Sequence, residues 1–377
     1  VGVREFGAAD FYGPYPSFED THATTGSAQW DGALGNNWSL SLGADTRRHG
    51  DLFTLLRDNP AVYQNRHITW QSGGHIVARR TISKMLTVAF GGDADDLRLT
   101  SARLGNRRLR RNGFLSEAVL GGAGGAVLDA ALRVDGSSVD GTIASPSLAL
   151  SVPLTSTIAL RASAARGYRA ATWTERYYSD PANIGNPDLR TERFWDAETG
   201  IRFSPSPRMS LDATTFLRDA HDVIDWTKQS DAADSVPWRT MNVGRVNNLG
   251  IETEARLHDF LGNGDWSVRA TGLAFDARTA AGLKGKYALN PITSSFGLST
   301  TYPLLGARIA ADASVARRAG ENEHAMINTR MILPSPYDRS ITLSLGLMNL
   351  TGESYRDVSG APVPGRAAYF TLRWSAR

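Results

Sequence analysis

The sequence contains no cysteine among its 377 residues. Disulfide bonds, thiolate chemistry and cysteine-based zinc sites are therefore excluded. It also lacks any run of 18 apolar residues, which excludes a membrane protein built from helices. The 41 basic residues nearly balance the 38 acidic ones. A net charge of +3 gives no reason to expect nucleic acid as a partner of the whole chain.

Signals of enzymes and cofactors are missing as well. The glycine run 121–125 does not have the Gly-x-Gly-x-x-Gly register of a dinucleotide loop. There is no Gly-x-Ser-x-Gly nucleophile motif, and the 7 histidines are scattered through different segments. We therefore predict no catalytic residue, no metal site and no cofactor. No linker divides the chain, so one large domain over 1–377 is favoured.

What the sequence does contain is a two-residue alternation of apolar and polar residues. From Ile341 to Leu347 every odd position is leucine or isoleucine and every even one is small or polar. The same pattern recurs around Leu40, Leu211, Ile251 and Phe370. It predicts strands with one apolar and one polar face. Such strands fit a soluble sandwich or propeller, and equally a barrel with lipid outside and a polar lumen.

Turn signals divide the pattern into about eighteen strands, enough to cross a bilayer eighteen times. We predict them near 1–7, 20–33, 37–48, 67–79, 84–99, 113–122, 126–135, 142–152, 157–169, 190–204, 208–226, 238–259, 265–278, 286–301, 306–318, 324–333, 337–350 and 364–375. Tight turns alternate with long connections at 49–66, 99–112, 170–189, 227–237 and 351–363. This alternation is typical of outer-membrane barrels, and no blade period of a propeller is present.

Tryptophans and charges support the membrane interpretation. Tryptophans at both strand ends would form two interfacial belts; these are Trp30, Trp38, Trp266 and Trp374 at the short turns and Trp173, Trp226 and Trp238 at the long loops. Charges on the polar faces would be costly in a dry core but not in a wet lumen. The luminal row comprises Arg161, Asp196, Glu198, Arg202, Asp212, Arg218, Glu252, Glu254, Arg256 and Arg269. A solvent-exposed face of a soluble sheet would also accommodate these charges.

Two charged clusters have more than one interpretation. Five arginines crowd into 99–112, namely Arg103, Arg107, Arg108, Arg110 and Arg111. They suit lipopolysaccharide phosphates or an anionic ligand, although a merely solvated loop is the simpler and preferred explanation. Asp93, Asp95 and Asp96 could offer oxygen ligands to calcium, but their spacing is unlike that of a known calcium loop.

Three stretches carry a resemblance to a known family. They are 163–178 followed by 185–192 with its Gly-Asn-Pro-Asp-Leu-Arg-Thr-Glu sequence, 242–252, and 347–374. Together they resemble the TonB-dependent outer-membrane receptors. The segment 11–18 is similar to the cobalamin-receptor-like branch. The resemblance implies an all-β transmembrane antiparallel barrel, with about 18 strands present of a 22-stranded barrel and the plug domain absent, so that 1–377 is a barrel domain incomplete at its N-terminus.

The resemblance also implies function. It predicts a receptor in the bacterial outer membrane that imports a scarce, bulky small-molecule ligand, such as a corrinoid or an iron-siderophore, and that contacts the TonB complex through the plug. Lipid and lipopolysaccharide would surround it. Aromatic residues of the outer loops would hold the ligand: Tyr12, Tyr15, Tyr63, Trp173, Tyr177, Tyr178, Trp226 and Trp238. The alternatives are a passive porin or structural barrel, and a soluble β-sheet binding protein.

Overall fold

The structure is a computed structural model that describes residues 2–8, 15–35, 37–260, 263–278, 282–334, 340–355 and 362–374. Its strands in chain order are β1 (Gly2–Gly7), β2 (Phe18–Ala33), β3 (Trp38–Thr54), β4 (Gln64–Thr81), β5 (Leu86–Ser101), β6 (Gly105–Gly121), β7 (Val127–Ser137), β8 (Gly141–Pro153), β9 (Ile158–Arg169), β10 (Asn183–Ile184), β11 (Glu192–Ser206), β12 (Met209–His221), β13 (Ile224–Gln229), β14 (Trp238–Asn242), β15 (Arg245–Phe260), β16 (Gly264–Arg278), β17 (Leu283–Gly285), β18 (Ile292–Leu304), β19 (Ala307–Arg318), β20 (Glu323–Pro334), β21 (Ile341–Met348) and β22 (Ala367–Trp374). The described residues also contain a short α-helix, α1 (Trp173–Tyr177), and a 3-10 turn at Ala123–Gly125. No helix in the described ranges is long and apolar enough to cross a membrane.

Eighteen strands form one antiparallel sheet, which confirms the predicted number. Each strand pairs with the next wall strand along the chain, from β1 with β2 to β21 with β22. This meander is the wall of an all-β barrel. Within the described residues no pairing joins β22 back to β1.

The pairing register separates two faces of the wall. In β15 and β16, Ile251 lies opposite Gly272, and the next pair places Glu252 opposite Thr271. Ile251 exposes 48% of its surface. Because side chains alternate between faces, Ile251 defines an outward apolar face and Glu252 a luminal polar face.

Large hydrophobic side chains are exposed all along the outward face, including Phe90, Phe114, Phe296 and Phe370. Soluble monomers seldom expose so extended an apolar surface. The opposite face holds eight of the ten predicted luminal charges in ion pairs, which are Asp212 with Arg161 and Arg202, Glu254 with Arg256 and Arg269, and Asp196 with Arg218. Apolar side chains outside and paired charges inside are the arrangement of a transmembrane barrel with a polar lumen.

The structure corrects the predicted belt at the long-loop end. Trp226 is buried, with 7% of its surface exposed, and belongs to β13, which is not one of the eighteen wall strands. Trp70 and Trp195 are instead half exposed on outward faces of wall strands. Indole rings at this level suit a headgroup interface.

Three strand boundaries also differ from the sequence-based expectation. The predicted loop 99–112 is mostly strand, because β5 and β6 are joined by a turn of only three residues. In that turn the Ser101 hydroxyl accepts the N–H groups of Arg103 and Leu104. The predicted strands 208–226 and 238–259 are each broken near one end, where Asp222 and Gly244 adopt positive φ angles of 54° and 102°. A positive φ interrupts an extended strand.

The residues beyond these breaks build a second, four-stranded sheet from β10, β14, β13 and β17. This loop sheet unites three connections of the wall, 170–191, 222–244 and 282–291. A small apolar core lies where it meets β12 and β15, formed by Ala220, Val223, Val243 and Val246. The loop sheet is therefore packed onto the end of the wall.

Candidate functional site

All long connections emerge at the same end of the wall. Adjacent wall strands are antiparallel, so the connections 55–63, 170–191, 222–244 and 282–291 must share one rim. The opposite rim has short turns, such as the one in which the N–H of Trp38 donates to the carbonyl of Gly35. The candidate site lies at the looped rim, which we call the mouth.

The connection 170–191 is ordered by α1. The Thr172 hydroxyl accepts the N–H of Glu175 at 3.1 Å, and the Glu175 carboxylate accepts the N–H of Thr172 at 2.7 Å. This capping box fixes the start of the helix. Arg176 is buried and donates to Asp140 at 3.0 Å and to the carbonyl of Pro187 at 2.9 Å. The aromatic residues of α1 are thereby held in place.

A buried carboxylate holds the loop sheet together. Asp225 is 1% exposed and accepts the backbone N–H groups of Trp226, Tyr287 and Leu289 at 2.7, 3.1 and 3.2 Å. Burial raises the pKa of this carboxyl group, and the backbone donors oppose that effect. A side chain at Gly285 would collide with the Asp225 carboxylate. The segment after β17 is therefore fixed against β13.

Two lysines lie against the tryptophans of the loop sheet. The Lys286 ammonium is 5.7 Å from the ring centroid of Trp226 and 5.0 Å from that of Trp238. Lys228 is also 5.0 Å from the Trp238 ring. Lys286 donates to the side chain of Asn183 at 2.7 Å. Burial lowers the pKa of Lys286, with the neighbouring Lys228 acting in the same direction.

Tyrosines and arginines continue this group toward β5 and β6. The Arg103 guanidinium lies 4.5 Å above the ring of Tyr63, and that of Arg107 lies 3.7 Å above Tyr177. Tyr178 is half-buried, and burial is the main cause that raises its pKa, with the nearby Asp180 and Tyr63 adding to the effect. Tyr63 and Tyr178 therefore link the loop 55–63 to the loop that carries α1.

We call this group the mouth cluster. It comprises Tyr63, Tyr177, Tyr178, Trp226 and Trp238 with Arg103, Arg107, Lys228 and Lys286. Lys228 has Asp234 at 3.8 Å. Arg103 and Arg107 form no ion pair with any carboxylate in the described part of the chain. Two cations without a carboxylate partner, beside several aromatic faces, favour a planar or polarisable anion.

The structure places five of the eight predicted ligand residues in the mouth cluster. Trp173 is at the first position of α1 and is partly exposed. Tyr15 is 46% exposed in the connection before β2. Tyr12 lies outside the described residues. Whether any of them binds ligand stays a prediction.

Sequence reasoning missed Lys228 and Lys286. They are 58 positions apart, and only the pairing of β13 with β17 brings their segments together. Isolated lysines in loops carry no sequence signal. A signal was available for Arg103 and Arg107, which belong to the arginine-rich stretch, but the stretch was assigned as a whole to a loop.

The aspartates weighed as calcium ligands face arginines instead. Asp93 pairs with Arg133 at 2.8 Å and Asp95 with Arg111 at 3.3 Å, both on the luminal face. Asp96 follows Asp95 directly in β5, so its side chain points to the outward face. The described residues contain no group of three or more acidic or histidine side chains placed to hold a metal ion.

A wall of antiparallel strands with an apolar exterior, a charged lumen and one elaborated rim defines a receptor or porin of the outer-membrane class. The family model "TonB dependent receptor-like, beta-barrel" matches residues 3–356. The chain belongs to this family, whose fold is that of receptors and transporters rather than enzymes. No curated protein sequence matches the chain.

Solved structures share the fold at low sequence identity. A mutant of the ferric enterobactin receptor of Pseudomonas aeruginosa is 15% identical with a TM-score of 0.71, and the match covers 95% of this chain and 61% of that one. The siderophore receptor PirA of Acinetobacter baumannii is 16% identical, with a TM-score of 0.67 and coverage of 95% and 62%. The FrpB iron transporter of Neisseria meningitidis is 12% identical, with a TM-score of 0.77 and coverage of 99% and 68%. The chain thus spans less than two thirds of the first two receptors.

Proposed function

We propose that this chain is the barrel part of a receptor that imports an anionic iron chelate of the siderophore class across the bacterial outer membrane. The observation that carries the proposal is the pair of cations at the mouth, Arg103 over Tyr63 and Arg107 over Tyr177, neither of which has a described carboxylate partner. A ferric chelate with aromatic, negatively charged arms would complement both the guanidinium groups and the ring faces.

Position along the wall supports the same function. Arg107 and Arg111 both point into the lumen from β6, and Arg111 lies four residues further from the mouth, beside Asp95. Arg133 follows further down, between Asp93 and Asp135. A ligand released from the mouth would therefore enter a polar lumen. In the complete protein we propose that a plug, acted on by TonB, controls this step.

The structural neighbours add weight to iron over other cargo. Those described above are a ferric enterobactin receptor, a siderophore receptor and an iron transporter. A corrinoid is the alternative cargo, suggested by the resemblance of 11–18 to the cobalamin-receptor-like branch. A ligand without net negative charge gains little from guanidinium groups, so removal of the arginine charges distinguishes an anionic chelate from a corrinoid.

The test is a binding titration of the purified protein with a tricatecholate ferric chelate, a neutral trihydroxamate ferric chelate and cobalamin. We expect the anionic chelate to bind best. Arg103→Gln with Arg107→Gln should weaken its binding at least ~10-fold, since charge-assisted contacts contribute about 1.5–3 kcal/mol each. The control is Arg57→Gln, which removes one charge from the same rim and should leave binding nearly unchanged, because its guanidinium stacks on Phe18 at 4.2 Å outside the cluster.

Two outcomes would contradict the proposal. One is equal loss of binding in the double variant and in the Arg57 control. The other is tighter binding of cobalamin or the neutral chelate than of the anionic one. A large ion conductance with no saturable binding of any chelate would favour the passive porin.

A further inference from the structure

The arginine-rich stretch of β6 divides between the two faces of the wall. Arg107 and Arg111 alternate with the outward residues of β6 and therefore face the lumen. Arg108 and Arg110 share the parity of Phe114, which is 53% exposed on the outward face. Alternation therefore sends Arg108 and Arg110 toward the outside of the barrel.

These two arginines meet two outward residues of β5. Arg98 lies opposite Arg108, and Asp96 lies opposite Arg110. Asp96 accepts from Arg108 at 2.6 Å and from Arg98 at 2.7 Å, with Arg110 at 3.9 Å. The arginine side chains remain 46%, 61% and 65% exposed. Three guanidinium groups around one carboxylate leave two positive charges uncompensated.

The position of this cluster relative to the membrane can be inferred from two tryptophan–arginine pairs, which mark the two edges of the apolar band. Arg48 lies 5.7 Å from the Trp70 ring, and Arg80 lies 5.4 Å from the Trp38 ring. Between Trp70 and Arg80 the outward residues of β4 are uncharged: Ser72, Gly74, Ile76 and Ala78. Ten residues extend about 33 Å, which at the tilt of barrel strands covers about 25 Å, the height of the apolar band.

Trp70 therefore marks the upper edge of that band, on the side of the mouth. Arg98 lies opposite Trp70 in the sheet. The cluster of Arg98, Arg108 and Arg110 is consequently level with the headgroups of the outer leaflet. A cleft of about 320 Å³ opens beside it, lined by Trp70, Ser72, Asp96 and Arg98.

We propose that Arg98, Arg108 and Arg110 form a binding site for the phosphate group of an outer-leaflet lipid. Guanidinium groups bind phosphate in a bidentate manner, and the single carboxylate of Asp96 neutralises only one of the three positive charges. The apolar surface below the cluster would accept the acyl chains. The proposal rests on the outer-membrane placement and is independent of the imported ligand.

The test measures lipid retention. The full chain is reconstituted in phosphatidylcholine nanodiscs containing either diphosphoryl lipid A or its dephosphorylated form, and retained lipid is counted by mass spectrometry after detergent exchange. We expect at least ~10-fold preferential retention of the phosphorylated form, and a ~10-fold or greater loss in the variant R108Q/R110Q. The matched control R111Q/R133Q removes the same charge from the luminal face and should retain lipid as the unmodified protein does.

A second variant keeps the test decisive if R108Q/R110Q fails to insert. Asp96→Asn leaves every arginine in place and removes the competing carboxylate, so retention of the phosphorylated lipid should rise. Unchanged retention in both variants, equal retention of the dephosphorylated lipid, or displacement by inorganic phosphate at about 10 mM would overturn the proposal. Because no iron chelate is present, failure here is separate from failure of the proposed import.

Discussion

Replacing Ile251 with arginine tests the assignment of the two faces most directly. The outward residues of β15 from Leu249 to Leu257 are all uncharged, and Ile251 lies two positions from their midpoint. A guanidinium near the bilayer midplane of a barrel costs about 2–4 kcal/mol. Since 1.4 kcal/mol is a factor of ten, the folded population should fall roughly 30-fold to 700-fold relative to the unfolded one.

The matched control is Thr271→Arg in the neighbouring strand. Thr271 lies opposite Glu252 on the luminal face, so the new cation would meet water and a carboxylate. We expect this variant to lose less than about 1 kcal/mol. Denaturant unfolding in lipid vesicles, followed by the mobility shift of the folded barrel, measures both. Equal destabilisation by Ile251→Arg and Thr271→Arg would refute the assignment of lipid to the outward face.

Three further predictions concern the mouth. Binding of an anionic chelate should weaken as the pH rises through the pKa of Lys286, which lies below that of an ordinary lysine, because the neutral amine attracts no anion. Lys286→Arg should abolish this pH dependence, and a pH dependence that persists in the variant would contradict the prediction. Asp225→Ala leaves the N–H groups of Trp226, Tyr287 and Leu289 without their acceptor, costing about 3 kcal/mol, so limited proteolysis should cut the loop sheet earlier than in Asp225→Asn; equal rates would argue against this role of Asp225. Cysteines at Asn59 and Asn183 should react with an impermeant reagent on intact cells and one at Asn263 should not; the reverse result would invert the topology.

Much of the fold could be predicted because a barrel strand is a local pattern. Alternation around Ile251 or Phe370 requires only that side chains change face at every residue. The number of wall strands and the charged luminal row follow from the same period, and both are confirmed. The family could be predicted from the short stretches that carry its turns.

The errors lie where a polar strand resembles a loop. The residues around Arg108 are charged on both faces, so no apolar alternation marks them as strand. Only pairing with β5, which supplies Asp95 and Asp96 as cross-strand partners, keeps them extended. The breaks at Asp222 and Gly244 were missed for the opposite reason, since apolar residues continue through both.

The sequence by itself determined which residues of the regularly alternating strands share a face, because that choice depends on a period of two along one strand. The mouth cluster was decided by tertiary structure alone. Lys286 and Trp238 meet because three separate connections pair into the loop sheet, and the contacts depend on where each connection folds back. The opposite roles of Arg107 and Arg108 likewise depend on a register fixed by the neighbouring strand, in which a shift of one residue would exchange the two faces.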